Sequence, residues 1–136
     1  MTVRGLWLAI ATLYLVGPSA SGQTPPLNPS QVTAFMGTWP LIMTNPEGAR
    51  ETVRVWDENG ALRASLQAGR FPAISATGIM KDGDMLVLTL TRFENGKADR
   101  AVVALTLDGS TMNMAQMLEF SQTIKRGSGK KADQAP

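Results

Sequence analysis

Phe35-Met36-Gly37-Thr38-Trp39 is the stretch of this chain that decides how the fold begins. Upstream of it, Asn28-Pro29 has the form of a helix N-cap followed by proline at the first helical position. Gly37 can end this helix in the left-handed conformation, and the β-favouring Thr38 and Trp39 then suit a strand. The stretch therefore predicts a short N-terminal helix that leads directly into a β domain.

The residues before this stretch are typical of an exported protein. Arg4 precedes an apolar run from Leu6 to Val16, and small residues follow as far as Gly22. The run is too short for a bilayer-spanning helix, which needs about 20 residues. We expect residues 1–22 to be a signal peptide, cleaved after Gly22 or after Ala20. The mature protein is then periplasmic or secreted, and it keeps no stable membrane anchor after cleavage.

Beyond Trp39 the apolar residues change to a period of two, which is typical of strands with one buried face. Short strands alternate with turn sequences, among them Asp57-Glu58-Asn59-Gly60, Asn95-Gly96 and Asp108-Gly109. A meander of antiparallel strands must close on itself or pair its edges. The sequence therefore predicts an all-β fold, an antiparallel up-and-down barrel of about seven or eight strands with a short N-terminal helix. One of these strands is expected to span residues 73–81.

The domain organisation follows from these boundaries. We expect residues 23–28 to be a linker, residues 29–126 to be the barrel, and residues 127–136 to be a disordered basic tail. The chain has no cysteine, so no disulfide supports the barrel and its stability must come from the core. Positive charge is concentrated in the tail, whereas nucleic-acid binders usually carry it on a folded face. We expect no nucleic-acid partner.

Side chains that support catalysis are scarce. The chain has no histidine and no cysteine, which removes the usual acyl-transfer triads and thiolate nucleophiles. The acidic residues fall mainly in or beside predicted turns, where carboxylates favour local backbone hydrogen bonds. We therefore expect no catalytic residues, no enzyme activity and no cofactor.

Met112, Met114 and Met117 have a spacing that suits thioether coordination of Cu(I). Alternation along a strand, however, puts Met112 and Met114 on one face and Met117 on the other, unless a bulge intervenes. Methionine is also a common filler of irregular core space. The strand geometry favours packing over coordination, and we expect no metal site.

The chain resembles the lipocalin and calycin group of small secreted β-barrels. Gly37-Thr38-Trp39 matches the group's G-x-W at the first strand, and Arg126 matches the arginine that packs over this tryptophan from the last strand. The resemblance spans about residues 29–126 in architecture. It implies that Gly37, Trp39 and Arg126 form a structural seal at one end of the barrel.

Members of that group bind small apolar molecules, and some small secreted relatives inhibit proteases. The resemblance therefore implies a binding protein, whose leading partner is a small apolar ligand. Small residues share a face on the strand at 73–81, and methionine can adapt to a guest by changing rotamer. We expect a narrow apolar pocket lined by Ala76, Gly78, Met80 and Met114. The alternative is a protein-interaction module, such as an inhibitor of an exported enzyme.

Overall fold

The computed structural model describes residues 27–45, 47–94 and 96–132. The expected signal peptide, most of the expected linker and the end of the expected tail lie outside these residues. No helix in the described part of the chain has the length and apolar character needed to cross a membrane.

The N-terminal helix is a 3₁₀ helix that spans Pro29–Phe35. Asn28 caps it as expected, because its side-chain oxygen accepts a hydrogen bond from the Ser30 backbone N–H at 3.0 Å. The Gln31 side-chain oxygen accepts in return from the Asn28 backbone N–H at 2.7 Å, which completes a capping box. The helix thus starts where the sequence predicts.

The end of this helix differs in detail from the expectation. Met36 is the C-cap and has an extended backbone. Gly37 follows with a φ of 123°, which only glycine adopts readily, and it turns the chain into the first strand. Val32 and Phe35 are buried and attach the helix to the sheet.

Antiparallel strands make up most of the remaining chain. Their order in the single sheet is β4-β3-β2-β1-β9-β8-β7-β6-β5, so the first and last strands are neighbours. The strands are β1 Gly37–Thr44, β2 Glu47–Glu58, β3 Ala61–Ala68, β4 Ile74–Ser75, β5 Gly78–Asp82, β6 Met85–Glu94, β7 Lys97–Asp108, β8 Thr111–Leu118 and β9 Thr123–Lys130.

The strand expected at 73–81 is divided into β4 and β5, which is why the structure has nine strands. β4 pairs with β3, whereas β5 pairs with β6 at the other end of the sheet. Between them, the Ala76 N–H donates to the Ala64 carbonyl at 2.8 Å, and the Thr77 N–H donates to the Thr89 carbonyl at 2.7 Å. This segment joins the two ends of the curled sheet, and the expected antiparallel all-β barrel class is confirmed.

The core lies inside the curled sheet. As expected from the period of two, the alternate residues Leu86, Leu88 and Leu90 of β6 are fully buried, and so are their partners on β7. Large inward side chains from the other strands occupy the remaining interior; among them are Leu41, Met43, Val53, Leu66, Met112 and Leu118.

The barrel extends beyond its expected end at residue 126, because β9 continues to Lys130. The Gly-Ser-Gly sequence there suggests a mobile tail, but its glycines serve a close approach to β1. A Cβ on Gly127 would lie 2.5 Å from the Met43 sulfur and 3.0 Å from the Ile42 carbonyl oxygen. A Cβ on Gly129 would meet the Pro40 carbonyl oxygen. Residues 127–130 therefore belong to the barrel wall.

Candidate ligand-binding groove

The candidate site is a groove at the seam where the two ends of the sheet meet. β3 pairs with β4 only at Ser65 and Leu66, after which the chain turns to follow β6. Ala61–Arg63 of β3 and β5 consequently separate, and the space between them is a groove of about 620 Å³. Its volume lies within the usual range of small-molecule sites, about 300–1,000 Å³.

Apolar side chains form the bed of this groove. Leu62 belongs to the buried core, and Leu27, Ala76 and Ile79 are partly buried and pack against that core. Met80 also lines the groove but is about half exposed, at 53%. A flexible thioether side chain in this position can adjust to the shape of a bound molecule.

Two cationic side chains, Arg63 and Lys81, also line the groove. Arg63 Nε lies 3.8 Å from Glu58 Oε1, and both side chains are more than half exposed. An ion pair of this kind contributes little and leaves the guanidinium able to reorient. The groove therefore combines an apolar bed with positive charge, a combination that suits a molecule with an apolar body and an anionic group.

The structure brings three of the four expected ligand residues together. Ala76, Gly78 and Met80 all line the groove. Met114 does not, because it lies on β8, which β6 and β7 separate from β5 in the sheet. Its buried sulfur instead contacts Gln116 Nε2 at 3.7 Å. The expectation that Met114 joins the pocket is therefore wrong.

Of the three residues expected to form the seal, Gly37 and Trp39 lie together at the helix end of the barrel, and Arg126 does not. Trp39 is buried, and its indole N–H donates to the Phe35 carbonyl at 2.8 Å. Arg126 is exposed on the outer wall, because its neighbour Gly127 faces inward against Met43 and side chains alternate along a strand. The cation over the Trp39 ring is Lys131, at 5.6 Å from the ring centroid.

A buried polar cluster, unexpected from the sequence, consists of Glu51, Arg92 and Gln116. Arg92 Nη1 lies 3.2 Å from Glu51 Oε2 and donates to Gln116 Oε1 at 2.6 Å. Gln116 Nε2 donates to Glu51 Oε1 at 3.2 Å. Each of the three residues falls in phase with the buried apolar residues of its strand, which is the pattern by which the sequence could have indicated the cluster. Because the three side chains are buried and bind one another, they present no polar group to a substrate.

The methionines of β8 lie as strand alternation predicts. Met112 and Met114 are buried inside the barrel, whereas Met117 lies on the opposite face and is 49% exposed. The described residues also contain no cluster of three or more acidic, histidine or cysteine side chains placed to hold a metal ion. The groove is thus the feature of the described chain whose shape and chemistry best suit a ligand.

Comparison with known proteins identified no relative of this chain. The chain matches no known protein-family model, and no curated protein and no solved structure matches it. Function must therefore be inferred from the geometry of the groove and from the surface of the barrel.

Proposed function

We propose that this protein is an exported, lipocalin-like binding protein that holds a small apolar ligand with an anionic end group in the seam groove. The observation that carries this proposal is the groove itself, which combines a volume of about 620 Å³ with an apolar bed and the cations Arg63 and Lys81. A long-chain fatty acid has the chemistry that these features fit.

The bed of the groove supplies affinity, and the cations supply orientation. Each methylene group that moves from water into apolar surroundings contributes about 0.8 kcal/mol. A carboxylate next to Lys81 remains hydrated at the edge of the groove, so that its charge is not transferred into the core. In this arrangement the ligand lies along the seam between β3 and β5, because large side chains occupy the barrel interior.

Titration with a fluorescent fatty-acid probe tests the proposal. In the Gly78→Leu variant the new side chain projects into the groove, and the fold can accept it because a Cβ at Gly78 meets Thr89 no closer than 3.7 Å. We expect at least about a tenfold loss of probe affinity, equal to about 1.4 kcal/mol. The matched control is Ala98→Leu, at an exposed strand position outside the groove, which should bind like the parent.

A second variant tests the role of charge. Lys81→Gln should weaken binding of the carboxylate probe and leave binding of the corresponding alcohol unchanged, because only the carboxylate uses the ammonium. If the parent binds neither probe, or if Gly78→Leu binds as tightly as the parent, the groove does not hold such a ligand.

The alternative function, recognition of an exported protein, is favoured by one observation at the same place. Ala61–Arg63 have no strand paired on their groove side among the described residues. An extended segment of a partner can add to such an edge through backbone hydrogen bonds. Binding of this kind should persist in Lys81→Gln and should displace the probe, which separates it from ligand uptake.

A further inference from the structure

Three phenylalanines project from one end of the barrel. Phe71, Phe93 and Phe120 are 73%, 70% and 76% exposed, whereas the fourth phenylalanine of the chain, Phe35, is buried. Phe71 lies in the β3–β4 connection, Phe93 next to the β6–β7 turn and Phe120 in the β8–β9 turn. Because β3, β6 and β8 all run toward the same end of an antiparallel meander, these three connections lie together there. We name this end, with its three phenylalanines, the basal end.

Hydrogen bonds fix the backbone of the two turns that carry Phe71 and Phe120. The Phe120 N–H donates to Asp99 Oδ1 at 2.7 Å, and the Ser121 N–H donates to Asp99 Oδ2 at 3.1 Å. The Phe71 N–H donates to the Ala68 carbonyl at 3.0 Å, and the Phe71 carbonyl accepts from Gln67 Nε2 at 2.9 Å. The exposure of these phenyl rings is therefore built into ordered turns.

The apolar surface continues from Phe120 along the outer wall. Met117 and Ile124 are cross-strand partners on β8 and β9, and they are 49% and 44% exposed. Single exposed apolar residues are ordinary, but a group of large ones at one end of a small barrel marks an interaction surface.

Charge is distributed unequally between the two ends of the barrel. The turns at the opposite end carry Asp57, Glu58, Asp82, Asp84 and Asp108. The basal half carries five exposed basic side chains, against the acidic residues Glu47, Glu94 and Glu119. These basic residues are Arg50, Arg70, Lys97, Arg100 and Arg126. Five basic residues also lie toward the opposite end and balance its acidic turns; they are Arg54, Arg63, Lys81, Lys130 and Lys131. The basal end is therefore distinguished by an excess of basic over acidic side chains together with its three exposed phenylalanines.

We propose that the basal end docks on an anionic lipid surface, with the three phenyl rings in the interfacial layer and the basic side chains on lipid headgroups. The three rings project singly from three separate connections. A protein partner would need a matching pocket for each ring, whereas a fluid lipid layer accepts the rings without preformed pockets. Arginine and lysine are attracted to anionic lipid at the same depth at which aromatic rings insert. The acidic turns then point away from the membrane.

Vesicle co-sedimentation of the full chain tests this proposal. We expect the parent to bind vesicles of phosphatidylcholine and phosphatidylglycerol better than vesicles of phosphatidylcholine alone. The Phe71→Ser, Phe93→Ser, Phe120→Ser triple variant should lose at least about tenfold in vesicle partition coefficient. Interfacial binding scales with the apolar area that enters the lipid layer, and this variant removes all three rings. The control is Trp56→Ser, which removes a partly exposed aromatic side chain outside both the basal end and the groove. All variants share the same N-terminal segment, so differences between them report the basal end.

Charge and orientation provide two further readouts. Neutralising Arg70 and Lys97 with glutamine should lower binding to anionic vesicles about fivefold for each side chain. A tryptophan introduced by Phe120→Trp should be quenched by brominated lipid, whereas one introduced by Asp84→Trp at the opposite end should not. All three phenylalanines are exposed, and the variants should therefore keep the parent's melting temperature.

Three results would overturn the proposal. The first is vesicle binding that is the same in the triple variant and the parent, and the second is binding that does not depend on anionic lipid. The third is a parent that elutes as a dimer, ignores vesicles and becomes monomeric in the triple variant. That outcome would assign the basal end to contact between copies of the chain.

Discussion

The ammonium of Lys131 lies 5.6 Å from the centroid of the Trp39 ring, and its alkyl chain passes directly over Gly37. The Ala132 N–H donates to the Thr38 carbonyl at 2.8 Å, which ties this segment to β1. Residues after the last strand therefore fold back over the helix end of the barrel and help to cover the indole. Because Gly37 has no side chain, the alkyl chain of Lys131 has room to lie over it.

Trp39→Ala should reduce the free energy of unfolding by about 3–5 kcal/mol, because it removes a large buried ring from the core. The indole also donates to the Phe35 carbonyl, so the helix loses an attachment as well. Urea unfolding followed by circular dichroism measures the change. A loss below about 1 kcal/mol would mean that the ring does not support the core.

Lys131→Ala should cost about 0.5–1 kcal/mol, the usual contribution of a cation over an aromatic ring at a partly exposed site. Arg126→Ala is the matched control, and it should stay within about 0.5 kcal/mol of the parent because the side chain is exposed on the outer wall. The reverse order of the two effects in urea unfolding would restore Arg126 as the sealing cation.

Gly127→Ala should destabilise the barrel by about 1–3 kcal/mol through overpacking. Its Cβ would come within 2.5 Å of the Met43 sulfur and 3.0 Å of the Ile42 carbonyl oxygen, and the backbone atom cannot easily move. Gly78→Ala makes a suitable control, since its Cβ meets Thr89 at an ordinary 3.7 Å. Differential scanning calorimetry measures the melting temperatures of the Gly127→Ala and Gly78→Ala variants. Equal melting temperatures would contradict the close approach of β9 to β1.

Glu51→Leu should cost about 3–5 kcal/mol, because it removes the carboxylate that Arg92 and Gln116 contact inside the barrel. The Glu51→Leu, Arg92→Met, Gln116→Leu triple variant should be more stable than Glu51→Leu alone, since it leaves none of these polar groups buried without its partners. The urea midpoints of the two variants test this prediction. If the losses of stability from the individual substitutions simply add, the three side chains act independently.

Asp99 should make the barrel sensitive to acid. Burial alone raises the pKa of its carboxyl, but the backbone N–H groups of Phe120 and Ser121 and the Ser121 side chain donate to it, and the pKa is held below its ordinary value. A carboxyl with a lowered folded pKa contributes stability above its unfolded pKa of about 3.9, and this contribution is lost as the pH falls through the folded pKa.

The Asp99→Asn variant isolates this effect. Its urea midpoint should lie below that of the parent near pH 7, and the gap should narrow as the pH falls below about 4. A gap that is constant from neutral to acidic pH would show that ionised Asp99 does not hold the β8–β9 turn.

The sequence by itself determined the local features of this protein. Asn28 and Pro29 start the helix because the capping hydrogen bonds join residues within three positions of one another. Alternation along β6 and β7 placed Leu86, Leu88, Leu90, Val103 and Leu105 inside, because every second side chain of a strand points to the same face. The same rule correctly separated Met117 from Met112 and Met114.

Only the tertiary structure decided which distant residues meet. Arg126 and Lys131 are both basic and close in sequence, and the register of β9 against β1 decides which of them reaches Trp39. The division of residues 73–81 between β3 and β6 opens the groove beside Gly78, and the strand order puts β6 and β7 between this groove and Met114. These outcomes depend on how the sheet curls and closes, which is set by packing among many strands and by the close approach that Gly127 allows.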